Sequence, residues 1–238
     1  MSEPPPASPA DPLSDPLSDP LSDADERDPN PARGRPKDAA TLILVRRDGP
    51  APRLLMGRRH AAHAFMPAKW VFPGGRIDRA DFRAPSASEL RPTVAARLGR
   101  GVPRGRPKGL PRALAVAAVR ETEEEAGLIL GRREKGAVLP DLAALDYVAR
   151  AVTPPGRVRR FDARFFAADA AALLSLDRPA GSGELEEIAW FTPEEACGLD
   201  LPSITRFVVE EVARRIEDPG RAVPFVRMVR GAKVIERL

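Results

Sequence analysis

The chain has 238 residues, a formal net charge of +4, and only 5% aromatic residues, so its core must rest on Leu, Val, Ile and Ala. A single cysteine, Cys197, excludes an intramolecular disulfide and a cysteine-built zinc site, and it suits a reducing cytoplasm. No apolar run approaches the ~20 residues of a membrane-crossing helix, and no basic stretch followed by an apolar one marks a secretory signal, so neither is expected.

Residues 1 to 38 are rich in Pro, Ser and Asp and repeat Asp-Pro-Leu-Ser from 11, 15 and 19. Such a segment buries too little apolar surface to offset the entropy of ordering, and it is expected to be a disordered tail before one domain at 39–238. Eight acids against Arg27 give residues 1 to 32 a charge of −7, leaving +11 on the remainder. A basic body suits a polyanionic small-molecule substrate, and nucleic acid equally.

Beyond Ala40, Thr41–Arg46 and Arg53–Arg58 read as strands joined by an Asp-Gly-Pro turn, and Trp70–Phe72 as a third strand running into Pro73-Gly74-Gly75. A segment from about 82 to 112 follows, broken by Pro and Gly, with a short helix over Glu89–Leu98. It carries Arg83, Arg91, Arg97, Arg100, Arg104, Arg106, Lys108 and Arg112 against Glu89 alone, and reads as a mobile basic segment that could govern substrate choice. The pattern then predicts a helix over Arg112–Ala126, strands over Leu145–Thr153, Phe161–Ala167 and Glu187–Phe191, and an amphipathic helix over Ser203–Ile216 with Ser203 as N-cap. Strands interleaved with a few helices favour an α/β fold, a mixed sheet between helices.

The most informative stretch is Arg120-Glu121-Thr122-Glu123-Glu124-Glu125-Ala126-Gly127-Leu128. Glu121, Glu124 and Glu125 stand at i, i+3 and i+4, on one side of a helix that Gly127 would end. Like charges at that spacing repel. Such a face is either merely solvated or neutralised by a cation, and Mg²⁺ or Mn²⁺ would take these oxygen ligands together with substrate phosphate. The paired glycines upstream let the backbone approach a ligand closely.

Gly75 together with Arg120, Glu121, Glu124, Glu125, Gly127 and Leu128 resembles the Nudix hydrolase signature, G-x5-E-x7-R-E-U-x-E-E-x-G-U, where U is a bulky aliphatic residue. Thr122 stands where an aliphatic residue is usual, Asp81 where the first Glu belongs, and residues 82 to 119 separate it from Arg120 in place of seven. Arg112, at the counted-back Glu position, cannot hold a metal. Phe72-Pro-Gly-Gly75, the Asp81-Phe82 pair and Arg160-Phe161-Asp162-Ala163-Arg164-Phe165-Phe166 are similar to a coenzyme A diphosphatase-like branch with an interrupted box.

The resemblance implies an α/β/α sandwich and divalent-metal-dependent cleavage of a nucleoside diphosphate derivative, with coenzyme A or acyl-coenzyme A favoured. It implies Glu121, Glu124 and Glu125 as metal ligands, Glu121 also as ligand or general base, and Arg120 holding a glutamate in place. Gly74 and Gly75 would shape the loop beside the metal, and Glu184, or Glu186 or Glu187, would offer an additional base unless they only line a solvated loop; Arg160 and Arg164 (with Arg159) are either phosphate contacts, since a guanidinium can grip phosphate with two bonds, or plain surface charge. His60 and His63 are read as surface histidines or substrate contacts. Against this stands a non-catalytic nucleotide- or RNA-binding module, favoured by the absent first Glu.

Overall fold

The computed structural model describes residues 35–60, 67–103, 105–157, 159–177 and 184–238. Most of the expected tail and His63 and Arg104 lie outside them. The first strand, β1, runs over Lys37–Arg46, earlier than the expected start at Thr41 and into the segment read as tail. Its apolar run is nearly continuous because β1 is central: it pairs with β8 (Phe161–Asp169) in parallel and with β2 (Arg53–Arg59) and β4 (Gly74–Arg76) antiparallel. Short β3 (Trp70–Val71) and β9 (Leu185–Phe191) pair with β2. Across β8 lie β7 (Asp146–Val152), β10 (Pro224–Val229) and β11 (Ala232–Arg237). A separate hairpin joins β5 (Gly131–Glu134) and β6 (Ala137–Pro140).

Helices cover both faces of the mixed sheet. On one side lie α1 (Pro92–Gly99) and α2 (Leu110–Ala126); on the other lie α3 (Pro193–Cys197) and α4 (Ser203–Glu217). Strand alternation divides the core between them. Leu42 and Leu44 pack with Leu114, Ala118 and Phe166 on the α2 side, while Ile43 and Val45 pack with Phe165, Phe207 and Val208 on the α4 side. The result is the α/β/α sandwich. The expected N-cap Ser203 is instead the first helical residue of α4; Pro202 holds the cap position, and its fixed φ suits the entry into a helix.

The segment between Asp81 and α2 does not behave as an open basic flap. Val94 and Leu98 of α1 are buried against the α2 side of the core. Three of its arginines turn to acids: Arg91 to Asp146, Arg112 to Glu89 within the segment, and Arg106 to Asp38 at 2.5 Å. The last contact belongs to a buried ion network at the starts of β1 and β8. Arg164 Nη1 lies 2.7 Å from Asp38 and 3.1 Å from Asp162, Arg150 grips Asp162 with two 2.8 Å bonds, and Arg150 Nη1 also donates to the carbonyl of Gly101 at 2.9 Å.

Candidate active site

The site grows from the C-terminal half of α2. Pro111 in the first turn suits a helix start, and Gly127, at φ 69°, ends the helix with its N–H bonded to the carbonyl of Glu123 at 2.9 Å. Thr122 is fully buried where an aliphatic residue was expected; it is tolerated because its hydroxyl donates to the Ala118 carbonyl at 2.8 Å. On the face turned to the sheet, Glu125 is only 4% exposed, and its Oε2 accepts from the Gly74 N–H at 2.9 Å. One turn earlier Glu121 lies directly against Gly75: a Cβ there would stand 2.4 Å from the Glu121 carboxyl carbon. A Cβ on Gly74 would stand 2.6 Å from the Ala40 carbonyl oxygen. The paired glycines are therefore needed so that β4 can run between β1 and the carboxylates.

Arg120 organises the other side. Its Nε and Nη2 donate to the two oxygens of Asp81 at 3.0 and 3.2 Å, Nη2 to the Arg76 carbonyl at 3.0 Å, and Nη1 to Glu121 at 2.8 Å and Glu124 at 3.0 Å. Asp81, 1% exposed, is itself fixed by the Asp78 N–H at 2.7 Å. The acid that stands in the place of the missing Glu thus holds the arginine across the whole interruption of the motif. Glu124 lies at the rim, its side chain 56% exposed.

Electrostatics mark these glutamates as crowded. Burial pushes Glu125 up to about 8; the Gly74 N–H and Arg59 oppose this, while Glu184 and Glu121 add to it. Burial also raises Glu121, against the pull of Arg120 and with a further push from Glu124 and Glu184. Burial disfavours charge on Arg120 as well, but Asp81 and Glu121 outweigh it and keep the guanidinium charged. Glu184, from the turn before β9, thus joins the neighbourhood of Glu121 and Glu125. Among the described residues no three acidic, histidine or cysteine side chains stand together at metal-ligand spacing. The donors fit a hard divalent cation in chemistry, being carboxylate oxygens, several of them bonded here to Arg120 and Arg59.

Other expected residues fall elsewhere. Arg164 is fully buried in the Asp38–Asp162 network, so the expected phosphate contact is corrected: β8 alternates, and position 164 faces inward beside Phe166. Arg160, partly buried just before β8, reaches the Thr153 carbonyl at 3.4 Å. His60 pairs with Glu186 at 3.1 Å, and Glu187 with Arg58 at 3.4 Å. Arg59 had no assigned role; a lone arginine at a strand end carries no signal until its partner Glu184 is known.

A family model described as "NUDIX domain" matches residues 91–210, and the chain belongs to the Nudix family. The match begins within the insertion, after the glycine turn and Asp81. The chain is similar to a chicken (Gallus gallus) protein named "Acyl-coenzyme A diphosphatase NUDT19", 28% identical over 77% of this chain; the aligned part spans 66% of that relative. Among solved structures it is similar to a Nudix hydrolase from Alicyclobacillus acidocaldarius (28% identity, 76% of this chain and 93% of that one, TM-score 0.56). The Nudix domain of Shewanella oneidensis NrtR, complexed with ADP-ribose, shares the fold at 11% identity, over 79% of this chain and 93% of that one, with a TM-score of 0.51.

Proposed function

We propose that the chain is a divalent-metal-dependent hydrolase that cleaves the diphosphate linkage of a nucleoside diphosphate derivative, with coenzyme A or acyl-coenzyme A as the favoured substrate. The observation that carries this reading is the pair of carboxylates, buried Glu125 and half-buried Glu121, set against Gly74 and Gly75. The substrate follows the chicken relative's name, and the metal follows the donor set and the family.

Glu121 and Glu125 would hold Mg²⁺ or Mn²⁺, with Glu124 joining from the rim. When bound, the cation supplies charge neutralisation on the phosphoryl oxygens and a more acidic water. The chain's own residues do the rest. The Gly74 N–H fixes the Glu125 carboxylate, and the bare backbone at Gly75 leaves room for the Glu121 carboxylate beside it. Arg120, oriented by Asp81, holds Glu121 and Glu124 by charge-assisted bonds. Glu184 or Glu121 takes the proton of the water whose oxygen forms the new bond to one phosphorus, while the bridging P–O bond breaks and the other phosphate leaves with that oxygen. Arg160 is the remaining candidate for a phosphate contact, since a guanidinium can grip phosphate with two bonds. The free thiol of Cys197 is compatible with a reducing, cytoplasmic setting, and no helix among the described residues is long and apolar enough to cross a membrane.

A panel of coenzyme A, acyl-coenzyme A, nucleotide sugars, dinucleoside polyphosphates and oxidised nucleotides, with and without Mg²⁺ or Mn²⁺, tests the reading. Metal-dependent cleavage of coenzyme A into a phosphopantetheine and a nucleotide supports it; tight binding without turnover across the panel would favour a binding module instead.

A further inference from the structure

The insertion leaves and rejoins the domain at one place. It departs just after Phe82 and returns to α2 at Leu110, and a Cβ on Gly109 would lie 3.5 Å from Phe82 Cδ1. Its two limbs grip opposite ends of one short connection, from Ile77 to Asp81. The outgoing limb follows Asp81, whose carboxylate takes two bonds from Arg120. The returning limb carries Arg106, whose Nη1 meets Asp38 Oδ2 at 2.5 Å. The Asp38 carbonyl in turn accepts from the Ile77 N–H at 3.2 Å, one residue beyond the Arg76 carbonyl that accepts from Arg120 Nη2.

Asp38 needs this second cation. Its side chain is 4% exposed, so its oxygens depend on protein donors. Arg164 serves the other oxygen, Oδ1, through Nη1 alone, and that nitrogen also donates to the Asp162 carbonyl at 2.7 Å and meets Asp162 Oδ1 at 3.1 Å. Nε and Nη2 of Arg164 are buried without a hydrogen-bond partner, so its fork does not close on Asp38. A buried carboxylate oxygen that loses its donor carries a desolvation cost, and a shift of the start of β1 toward water relieves it. Such a shift takes the Asp38 carbonyl away from Ile77. Arg106 is presented from a fixed limb. Before it, the Gly101 carbonyl is held by Arg150 at 2.9 Å and Val102 packs on the core; after it, Leu110 is buried.

We propose that Arg106 is a positioning residue for the site: it neutralises Asp38 and so fixes the Ile77 end of the connection whose Asp81 end orients Arg120. The insertion braces the site through both limbs, and the work of Arg106 is the placement of Arg120 with Glu121 and Glu124 rather than contact with substrate phosphate. The effect on turnover rests on the reading of the site as a metal-dependent diphosphatase; the fixing of Ile77 does not.

The test is backbone amide exchange of the full chain carrying Arg106→Ala, read at Ile77 and at Val208 in α4, beside steady-state kinetics of the same preparation. Exchange at Ile77 is expected to speed at least ~10-fold more than at Val208, the mark of a local opening. Well below the thermal midpoint, kcat should fall about 5-fold or more with KM within about 2-fold of wild type. Arg106→Lys, which keeps the charge, should recover most of both effects, and Arg100→Ala, at an exposed arginine of the same insertion, should leave both at wild-type values. In an Asp38→Asn background, which lacks the carboxylate, Arg106→Ala should speed Ile77 exchange by less than about 2-fold. Should Arg106→Ala fail to fold, Arg106→Gln serves in its place. Equal acceleration at Ile77 and Val208 would reduce Arg106 to a contributor to global stability and overturn the proposal. A KM rise of about 10-fold with Ile77 exchange unchanged would make Arg106 a substrate contact and overturn it equally. Selective opening at Ile77 in a chain that cleaves no diphosphate would uphold Arg106 as the brace and overturn the functional reading instead.

Discussion

Asp81 and Arg120 are joined by two bonds, at 3.0 and 3.2 Å, across the interruption that separates the glycine turn from the glutamate helix. An ion pair with one partner 1% exposed positions the arginine that in turn orients Glu121 and Glu124. Asp81→Asn keeps the volume and removes the charge. We expect it to lower kcat by ~10-fold or more with a smaller change in KM, because it displaces positioning rather than substrate contact. It should also cost about 3 kcal/mol of stability, since it leaves a charged group poorly compensated. Steady-state kinetics and denaturant unfolding of the same preparation check both; unchanged kinetics would separate Asp81 from the site.

The ionisation of Glu125 ties stability to pH. Its carboxyl is raised from 4.5 to about 8 in the folded chain. A raised carboxyl favours folding most below the unfolded value, and that contribution is lost as pH rises through the folded value. The metal-free protein should therefore lose a few kcal/mol of stability between pH 5 and pH 9 from this group, at 1.36 kcal/mol per pKa unit. Glu125→Gln should flatten the profile, and so should saturating Mg²⁺. A wild-type profile parallel to that of the variant in metal-free buffer would contradict the burial argument.

The buried network of Arg164 predicts a structural rather than a kinetic effect. Arg164→Met removes one of two arginine partners from each of Asp38 and Asp162, and weakening a buried network in this way costs about 3 kcal/mol. KM for the best substrate should stay within about 2-fold of wild type at a temperature where the variant remains folded. A 10-fold rise in KM without a stability loss would return Arg164 to the substrate site.

Much of the site could be read from local sequence because its parts are helical or glycine-dependent. The i, i+3, i+4 spacing placed Glu121, Glu124 and Glu125 on one side of α2, and Gly127 marked its end. What the spacing did not reveal was depth: Glu125 and Glu121 are turned to the sheet while Glu124 stands at the rim, a distinction set by where β4 crosses. Arg164 looked like a phosphate contact because its partner Asp38 lies 126 positions away, in a segment read as tail. The pairing of Arg59 with Glu184 also spans distant segments. The C-terminal hairpin was passed over although its Arg230-Gly231 turn, with φ of 50° and 84°, is a two-residue hairpin connection between alternating strands. Composition counts the basic segment's arginines but not the acids that Arg91, Arg106 and Arg112 meet, nor the burial of Val94 and Leu98.

The most direct test of the account is metal-dependent turnover of coenzyme A by the Glu125→Gln variant beside wild type. Removing a buried ligand while keeping its shape should lower kcat at least ~100-fold at saturating Mg²⁺ or Mn²⁺, a loss of roughly 3 kcal/mol or more in transition-state stabilisation. The folded state should be as stable as wild type or more so in metal-free buffer, because a buried carboxylate no longer has to ionise. A variant that hydrolyses coenzyme A at near wild-type rate with the same metal dependence would contradict the assignment of this glutamate face as the catalytic centre.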